Sequence, residues 1–141
     1  MFNSVLHNYP NSLDDTQQRA YISVLLQIAD VDGISDGELG LIKEMAKTSS
    51  VSEELLGDCL LNYKSYDLTS LPDYHLSWAL CIIRDAIAIA NIDNGISNEE
   101  IKYISKICGY LDINDATLEM ITNATKDQMK ISEVWDSAMS N

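Results

Sequence analysis

Acidic side chains, which are of the type that binds hard cations, recur at two loops of this 141-residue chain. In each loop one or two aspartates precede a glycine, and a glutamate follows it a few residues later. Carboxylate oxygens suit Ca²⁺ or Mg²⁺ when several of them converge in space. The candidate metal ligands are therefore Asp30, Asp32, Glu38, Asp93 and Glu100, with Ca²⁺ or Mg²⁺ as the candidate cation.

The first loop is similar to the middle of an EF-hand calcium loop, but its spacing differs. An EF-hand places its bidentate glutamate six residues after the glycine, whereas Glu38 comes five residues after Gly33. Ile28 stands where the first-position aspartate is required. The spacing argues against an EF-hand and leaves open a different carboxylate site with ligands from both loops.

Helix capping explains much of the same pattern. Ser35 with Glu38, and Ser97 with Glu100, have the Ser-x-x-Glu spacing of a capping box. The aspartates before each glycine are different, because they stand at the C-terminal ends of helices, where the macrodipole disfavours a carboxylate. Either the N-terminus of the following helix or a bound cation would offset that cost. We expect any function to lie mainly with these leading aspartates.

The two loops belong to an internal repeat. Gly33–Leu39 matches Gly95–Ile101, and Ile28–Asp32 matches Ile89–Asp93, with Asn94 as a single inserted residue. The pattern predicts a duplicated helix–acidic loop–helix unit, with halves at about 14–64 and 72–124 that pack around a pseudo-twofold axis.

Apolar residues recur at helical spacing through most of the chain, which predicts an all-α, single-domain bundle of about seven helices at residues 13–141. Residues 1–12 are predicted to be a loose N-terminal arm. The fourth helix is apolar on nearly every side and is expected at the centre of the bundle. The expected helices begin near Leu13, Asp36, Ser52, Pro72, Asn98, Asn114 and Ile131, the last running to Met139 with Trp135 as its anchor.

The formal net charge of −13 restricts the classes of partner. A surface of this sign repels nucleic acid and anionic membranes, and it suits divalent cations or a protein with a basic surface. The charge could also act only to keep the protein soluble. The longest apolar stretch, Trp78–Ile92, contains Arg84 and Asp85 and is too short to cross a bilayer, so no direct membrane insertion is expected.

Three cysteines without CxxC spacing lie in apolar, helix-like stretches and predict buried free thiols. With no signal-peptide pattern at the N-terminus, this favours the cytoplasm. No nucleophile, base or phosphate-binding motif is recognisable, which argues against an enzyme. Asp85 is an unusual charge within the apolar fourth helix, and exposure on a polar stripe or pairing with a basic residue is preferred over a buried functional role.

Ala29–Ser35 followed by Glu38, and Ala90–Ser97 followed by Glu100, resemble the duplicated pattern of TerB-like tellurite-resistance proteins. The same domain type occurs in some membrane-anchored J-domain co-chaperones. The resemblance covers roughly residues 14–124. It implies an all-helical fold, a role in bacterial stress responses, and an acidic surface that binds a metal or a partner.

Carried over to this chain, the resemblance implies a role for the same five carboxylates. Asn91 replaces the residue equivalent to Asp30, and Asn94 lengthens the second loop, so a symmetric two-metal site is not expected. The sequence favours a non-enzymatic, stress-associated module that presents acidic loops to a divalent cation or a basic protein partner. The alternatives are a metal-dependent enzyme that uses the loop carboxylates and a carrier of a small apolar ligand between the central helices.

Overall fold

The computed structural model describes residues 9–93 and 95–139, which form six α-helices and no strand. The prediction of an all-α bundle is confirmed. Short 3₁₀ helices follow α1 (Asp30–Asp32) and α3 (Tyr63–Ser65), and a third spans Leu68–Ser70. The helices are α1 (Asp15–Ala29), α2 (Asp36–Thr48), α3 (Glu53–Asn62), α4 (Leu76–Ala90), α5 (Asn98–Tyr110) and α6 (Asp115–Met139).

Helix α4 lies at the centre of the bundle, as its apolar sequence predicts. Its buried residues face several directions, and it packs against α1, α2, α5 and α6. Ile82, Ile83 and Ile87 are almost completely shielded from solvent. Burying such side chains stabilises a fold by about 1.5–3 kcal/mol each. None of the described helices is both long enough and apolar enough to cross a membrane.

Helix α4 begins later than the sequence suggests. Pro72 was expected in its first turn, but the helix starts at Leu76, with His75 as its N-cap. Tyr74 donates its hydroxyl to the backbone carbonyl of Gln17, and the Gln17 amide donates to the carbonyl of Asp73. These bonds hold the segment before α4 against the start of α1, so Pro72 belongs to the connection.

Helix α6 is continuous over 25 residues, so the expected separate helix at Ile131–Met139 is wrong. The segment Asp115–Met139 contains no glycine or proline, and therefore nothing in it breaks the helical hydrogen bonding. Trp135 does not anchor the chain to the core, because 67% of its surface is exposed. The described residues therefore form six α-helices rather than about seven.

The described part of the N-terminal arm packs on the bundle. The Tyr9 ring lies 5.4 Å from the Trp78 ring, centroid to centroid, and the Trp78 indole donates to the backbone carbonyl of Asn11. Residues 1–8 lie outside the described residues. The segment that immediately precedes α1 is thus fixed by an aromatic contact and a hydrogen bond rather than loose.

All three cysteines, Cys59, Cys81 and Cys108, are buried free thiols, as the sequence predicts. Burial raises the pKa of each thiol, and that of Cys108 rises to about 11. A thiol with a raised pKa is a poor nucleophile at neutral pH. These side chains therefore act as small apolar residues of the core.

Candidate acidic cleft between the two loops

The two acidic loops lie side by side and line one cleft of about 410 Å³. The first loop follows α1 and the second follows α4, and these two helices pack against each other in the core. The packing brings together residues that are about 60 positions apart in the sequence. The acidic and hydroxyl side chains that line the cleft are Asp32, Ser35 and Glu38 from the first loop and Asp93, Ser97 and Glu100 from the second.

Each loop ends in a complete capping box, as the Ser-x-x-Glu spacing predicts. Ser35 Oγ accepts from the Glu38 N–H at 3.1 Å, and Glu38 Oε1 accepts from the Ser35 N–H at 2.8 Å. The corresponding distances between Ser97 and Glu100 are 3.1 and 2.9 Å. Both glutamates are buried, so one oxygen of each carboxylate is committed to helix capping.

The glycine in each loop has a backbone conformation that other residues avoid. Gly33 has a φ of 85° and Gly95 a φ of 86°. Glycine adopts such positive φ values readily because it lacks a Cβ atom. The two loops therefore share their turn chemistry as well as their capping boxes.

A hydrogen bond joins the two loops directly. Ser35 Oγ donates to Asp93 Oδ2 at 2.6 Å. The other oxygen of the same carboxylate, Oδ1, would lie 3.2 Å from a Cβ atom built on Gly37. Asp93 therefore rests against the first turn of α2, where the helix macrodipole favours a negative charge. The N-terminus of α2, the helix that follows the first loop, thus compensates for the unfavourable position of Asp93 near the C-terminal end of α4.

The remaining two leading aspartates have different surroundings. Asp30 does not line the cleft, because its Oδ2 accepts from the Tyr63 hydroxyl at 3.0 Å on the side facing α3. Asp32 lines the cleft and is exposed, and it makes no hydrogen bond or ion pair with the residues that the structure describes. Of the five candidate ligands, Asp32 is thus the carboxylate that capping and packing explain least.

The electrostatics of the cleft favour a positive group. Burial raises the pKa of Glu38, and the negative charges of Asp93 and Glu100 raise it further, against the lowering effect of the hydrogen bonds from Ser35. The described residues that line the cleft include no lysine, arginine or histidine. The carboxylates therefore repel one another without a described basic side chain to balance them.

The carboxylates are close but are not arranged as a preformed metal site. Within residues 9–93 and 95–139, no group of three or more aspartate, glutamate, histidine or cysteine side chains is placed to hold a metal ion. Capping orients Glu38 and Glu100 towards their own helices, and Asp30 is turned away from the cleft. The arrangement suits a positively charged group that is larger than a single metal ion.

A buried charged cluster lies outside the cleft and was only partly anticipated. Asp85 has no exposed surface and accepts from Tyr9 at 2.8 Å, Tyr21 at 2.7 Å and Arg84 Nε at 3.1 Å. Burial raises its pKa, and Arg84 and the two tyrosine hydroxyls lower it. The expected pairing with a basic residue is present, whereas the alternative of an exposed Asp85 is wrong.

The signal for this cluster in the sequence was a single charge pair within an apolar helix. It did not reveal the tyrosines, which are 64 and 76 residues away along the chain. The Arg84 guanidinium also lies 4.9 Å above the centre of the Tyr9 ring, within cation–π range. The cluster joins α4 to α1 and to the N-terminal segment, and we interpret it as structural.

No protein family, curated protein or solved structure was found to match the chain.

Proposed function

We propose that this protein is a non-enzymatic, stress-associated binding module whose acidic cleft receives a lysine or arginine side chain from a basic protein partner. The observation that carries the proposal is the convergence of Asp32, Glu38, Asp93 and Glu100 on one cleft whose described lining has no basic side chain. A partner's cation would relieve the repulsion between these carboxylates. Such an electrostatic contact also fits the net charge of −13.

The size of the cleft favours a side chain over a bare ion. Calcium requires six to eight oxygens at about 2.3–2.6 Å, all directed at one point. At ~30 Å³ per water, a cleft of about 410 Å³ holds roughly a dozen waters. An extended guanidinium or ammonium group, with its own hydration, fits this volume better than a single dehydrated ion.

Binding of Ca²⁺ or Mg²⁺ is the second candidate function, and the exposed Asp32 favours it. Its carboxylate has no described hydrogen bond to give up, so it is available as a ligand at little cost. The resemblance to TerB-like proteins supports both candidate functions, since the acidic surface of that family is associated with metal or partner binding. We also propose a cytoplasmic location, which the free, buried thiols support.

We also infer that the two loops derive from duplication of one helix–loop–helix unit. The matching capping boxes and the nearly equal φ values of Gly33 and Gly95 support this inference. In the proposed module the two copies have diverged, since Asp30 bonds Tyr63 and Asn91 instead bonds the sulfur of Met129.

The test is a titration of the protein with a fluorescently labelled Arg- and Lys-rich peptide, followed by anisotropy at low and high salt. The variant is Asp32→Asn with Glu38→Gln, because a glutamine at the third helical position preserves the capping box. The control is Glu44→Gln with Glu53→Gln, which also removes two negative charges, from the exposed surfaces of α2 and α3. We expect the double variant to bind roughly tenfold more weakly and the control to bind as the wild type does.

Equal binding by the double variant and the wild type would exclude the cleft as the binding site. Cation binding is tested separately by thermal unfolding. It predicts that millimolar Ca²⁺ or Mg²⁺ raises the melting temperature of the wild type but not that of the double variant. The stress assignment is tested by comparing tellurite tolerance between cells that produce the wild type and cells that produce the double variant. Unchanged tolerance argues against that part of the proposal while leaving the binding result intact.

A further inference from the structure

The C-terminal half of α6 exposes a row of large apolar side chains. Ile131, Val134, Trp135 and Met139 are 62%, 64%, 67% and 70% exposed. Residues three, four and eight positions apart fall on one side of an α-helix. The four side chains together expose on the order of 500 Å² of apolar surface, which is in the range of the largest patch on a typical monomer, and such patches are often functional.

A largely apolar cleft of about 320 Å³ lies on the same side of α6, closer to its N-terminus. It runs between α4 and α6 and is lined by Leu80, Cys81, Arg84, Ile121, Ala124 and Gln128 among others. Trp135 stands two helical turns after Gln128, which is ~10 Å along the axis. Trp135 lies on the side of α6 that carries Gln128, Ala124 and Ile121, because these residues precede it by 7, 11 and 14 positions, but it is too far along the helix to fill the cleft of its own chain.

We propose that a second copy of this chain packs antiparallel along α6, so that Trp135 of each copy enters the α4–α6 cleft of the other. In a two-fold contact of this kind each surface meets the same surface of the other copy, and any complementary pair occurs twice. A protruding tryptophan and an apolar cleft on one face are such a pair. A tryptophan in a desolvated pocket is also the side chain most often found to dominate an interface energetically.

The charged residues beside the apolar row fit an antiparallel alignment of the two α6 helices. A two-fold axis that passes α6 between Gln128 and Met129 places Asp127 of each copy opposite Lys130 of the other. The same axis places Trp135 opposite Thr122, which lies between Ile121 and Ala124 of the cleft. Asp127 and Lys130 are both exposed on one flank of α6. One alignment therefore pairs the opposite charges and brings the tryptophan to the cleft.

The charge distribution along the chain makes a second copy an acceptable partner at this surface. The whole chain has a net charge of −13, whereas the segment 126–139 has two lysines and three acidic residues. In the proposed alignment this segment faces residues 118–131 of the other copy, which have two lysines and two acidic residues, so the two segments repel each other far less than other parts of the surface would. The contact buries roughly 1,000 Å² from the apolar rows alone, at the lower limit of specific interfaces, so we expect a reversible dimer.

Sedimentation velocity over a wide range of protein concentration tests the proposal. The wild type is expected to shift from monomer to dimer with increasing concentration, and Trp135→Glu to weaken the dimer at least tenfold. Because Trp135 is exposed, this substitution leaves the monomer folded, which circular dichroism checks. Leu61→Glu is the matched control, since Leu61 is 85% exposed on α3 away from this surface and its substitution should leave the dimer unchanged.

The register is tested with Lys130→Glu and Asp127→Lys. Each variant alone places like charges opposite one another in the homodimer and should dimerise more weakly. A mixture of the two restores both pairs between unlike chains, and we expect the heterodimer to form more tightly than either homodimer. If the substitutions weakened association only by changing α6 within each chain, mixing the two variants would not restore association.

Two results would overturn the proposal: a wild type that stays monomeric at several hundred micromolar, or a dimer that Trp135→Glu leaves intact. Failure of the mixed variants to rescue association overturns the antiparallel arrangement. Trp135-dependent binding to neutral lipid vesicles by a strictly monomeric protein would assign the apolar row to a membrane surface instead, and would also count against a second copy.

Discussion

The hydroxyl of Tyr21 lies 2.7 Å from Oδ2 of Asp85, and this hydrogen bond joins α1 to α4 through a carboxylate that has no exposed surface. Tyr9 donates to the same oxygen from the N-terminal segment, and Arg84 donates to the other one. Burial of an unpaired carboxylate would cost several kcal/mol. The three donors offset that cost and tie the start of the chain to its central helix.

Substitution of Asp85 by asparagine should destabilise the fold strongly. The amide removes the negative charge next to Arg84 and replaces an acceptor oxygen by a donor. Removing one partner of a buried ion pair costs about 3–5 kcal/mol. Since the Arg84 side chain retains 22% exposure, we expect a loss of about 2–4 kcal/mol in the free energy of unfolding, measured by urea denaturation.

Tyr9→Phe is the control for this experiment, because it removes one hydrogen bond to Asp85 and keeps the ring that packs on Trp78. We expect it to cost only about 1 kcal/mol. If Asp85→Asn is no more destabilising than Tyr9→Phe, the ion pair contributes little and the interpretation of the cluster is wrong.

The raised pKa of Glu38 predicts a specific dependence of stability on pH. Burial, together with Asp93 and Glu100, makes the folded protein hold this proton more tightly than the unfolded chain does. The contribution of Glu38 to stability therefore falls as the pH rises from the ordinary glutamate pKa, ~4.3, through the raised value in the fold. Glu38→Gln cannot titrate and should lose this part of the pH dependence.

The measurement is the free energy of unfolding of wild type and Glu38→Gln at a series of pH values above 4. The variant should gain stability relative to the wild type as the pH increases, because glutamine preserves the capping box without the charge. Glu44→Gln makes the same change of charge outside the cleft, and its free energy of unfolding should have the same pH dependence as that of the wild type. Parallel curves for Glu38→Gln would show that repulsion in the cleft is negligible.

The two capping serines should differ in their contribution to stability. The Ser35 hydroxyl caps α2 and also donates to Asp93, whereas the described hydrogen bond of the Ser97 hydroxyl is the one it accepts from the Glu100 N–H. Loss of a serine cap costs about 1 kcal/mol, so Ser97→Ala should cost about that. Ser35→Ala should cost about 0.5–1.5 kcal/mol more, as measured by thermal and urea unfolding. Equal losses would mean that the bond between the loops does not contribute.

Two glycines of α2 provide a test of the contact between the loops that does not involve hydrogen bonding. A Cβ atom on Gly40 meets nothing within 4 Å, so Gly40→Ala should stabilise the helix by up to ~1 kcal/mol. On Gly37 the new Cβ lies 3.2 Å from the Asp93 carboxylate, which must shift. We expect Gly37→Ala to gain clearly less in melting temperature than Gly40→Ala. A larger gain for Gly37→Ala would contradict the position of Asp93.

Much of the fold follows from local sequence patterns, because helices depend on neighbours within one or two turns. The capping boxes at Ser35 and Ser97 form as their spacing requires, and α4 is central because its residues are apolar on nearly every side. The start of α4 was misplaced because Tyr74 and Gln17, which hold the preceding segment, are 57 residues apart. Local rules cannot weigh such a contact.

The candidate site was predictable in its composition but not in its geometry. The sequence indicates that Asp30, Asp32 and Asp93 need a compensating partner at the ends of their helices. It does not indicate that Tyr63 serves Asp30 or that Ser35 of the other loop serves Asp93. Both partners come from other elements of the bundle, and their identity depends on how α1 and α4 pack. Asp32 is the residue for which the prediction of an available ligand still stands.

The uninterrupted length of α6 has a consequence for the kinetics of amide hydrogen exchange. Its middle, near Thr125 and Met129, is buried against α4, whereas most side chains from Glu133 to Met139 face solvent. Local opening requires little free energy where few side chains are buried. In the monomer, at low protein concentration, deuterium uptake should therefore increase progressively along one continuous helix, from slow near Met129 to fast near Met139.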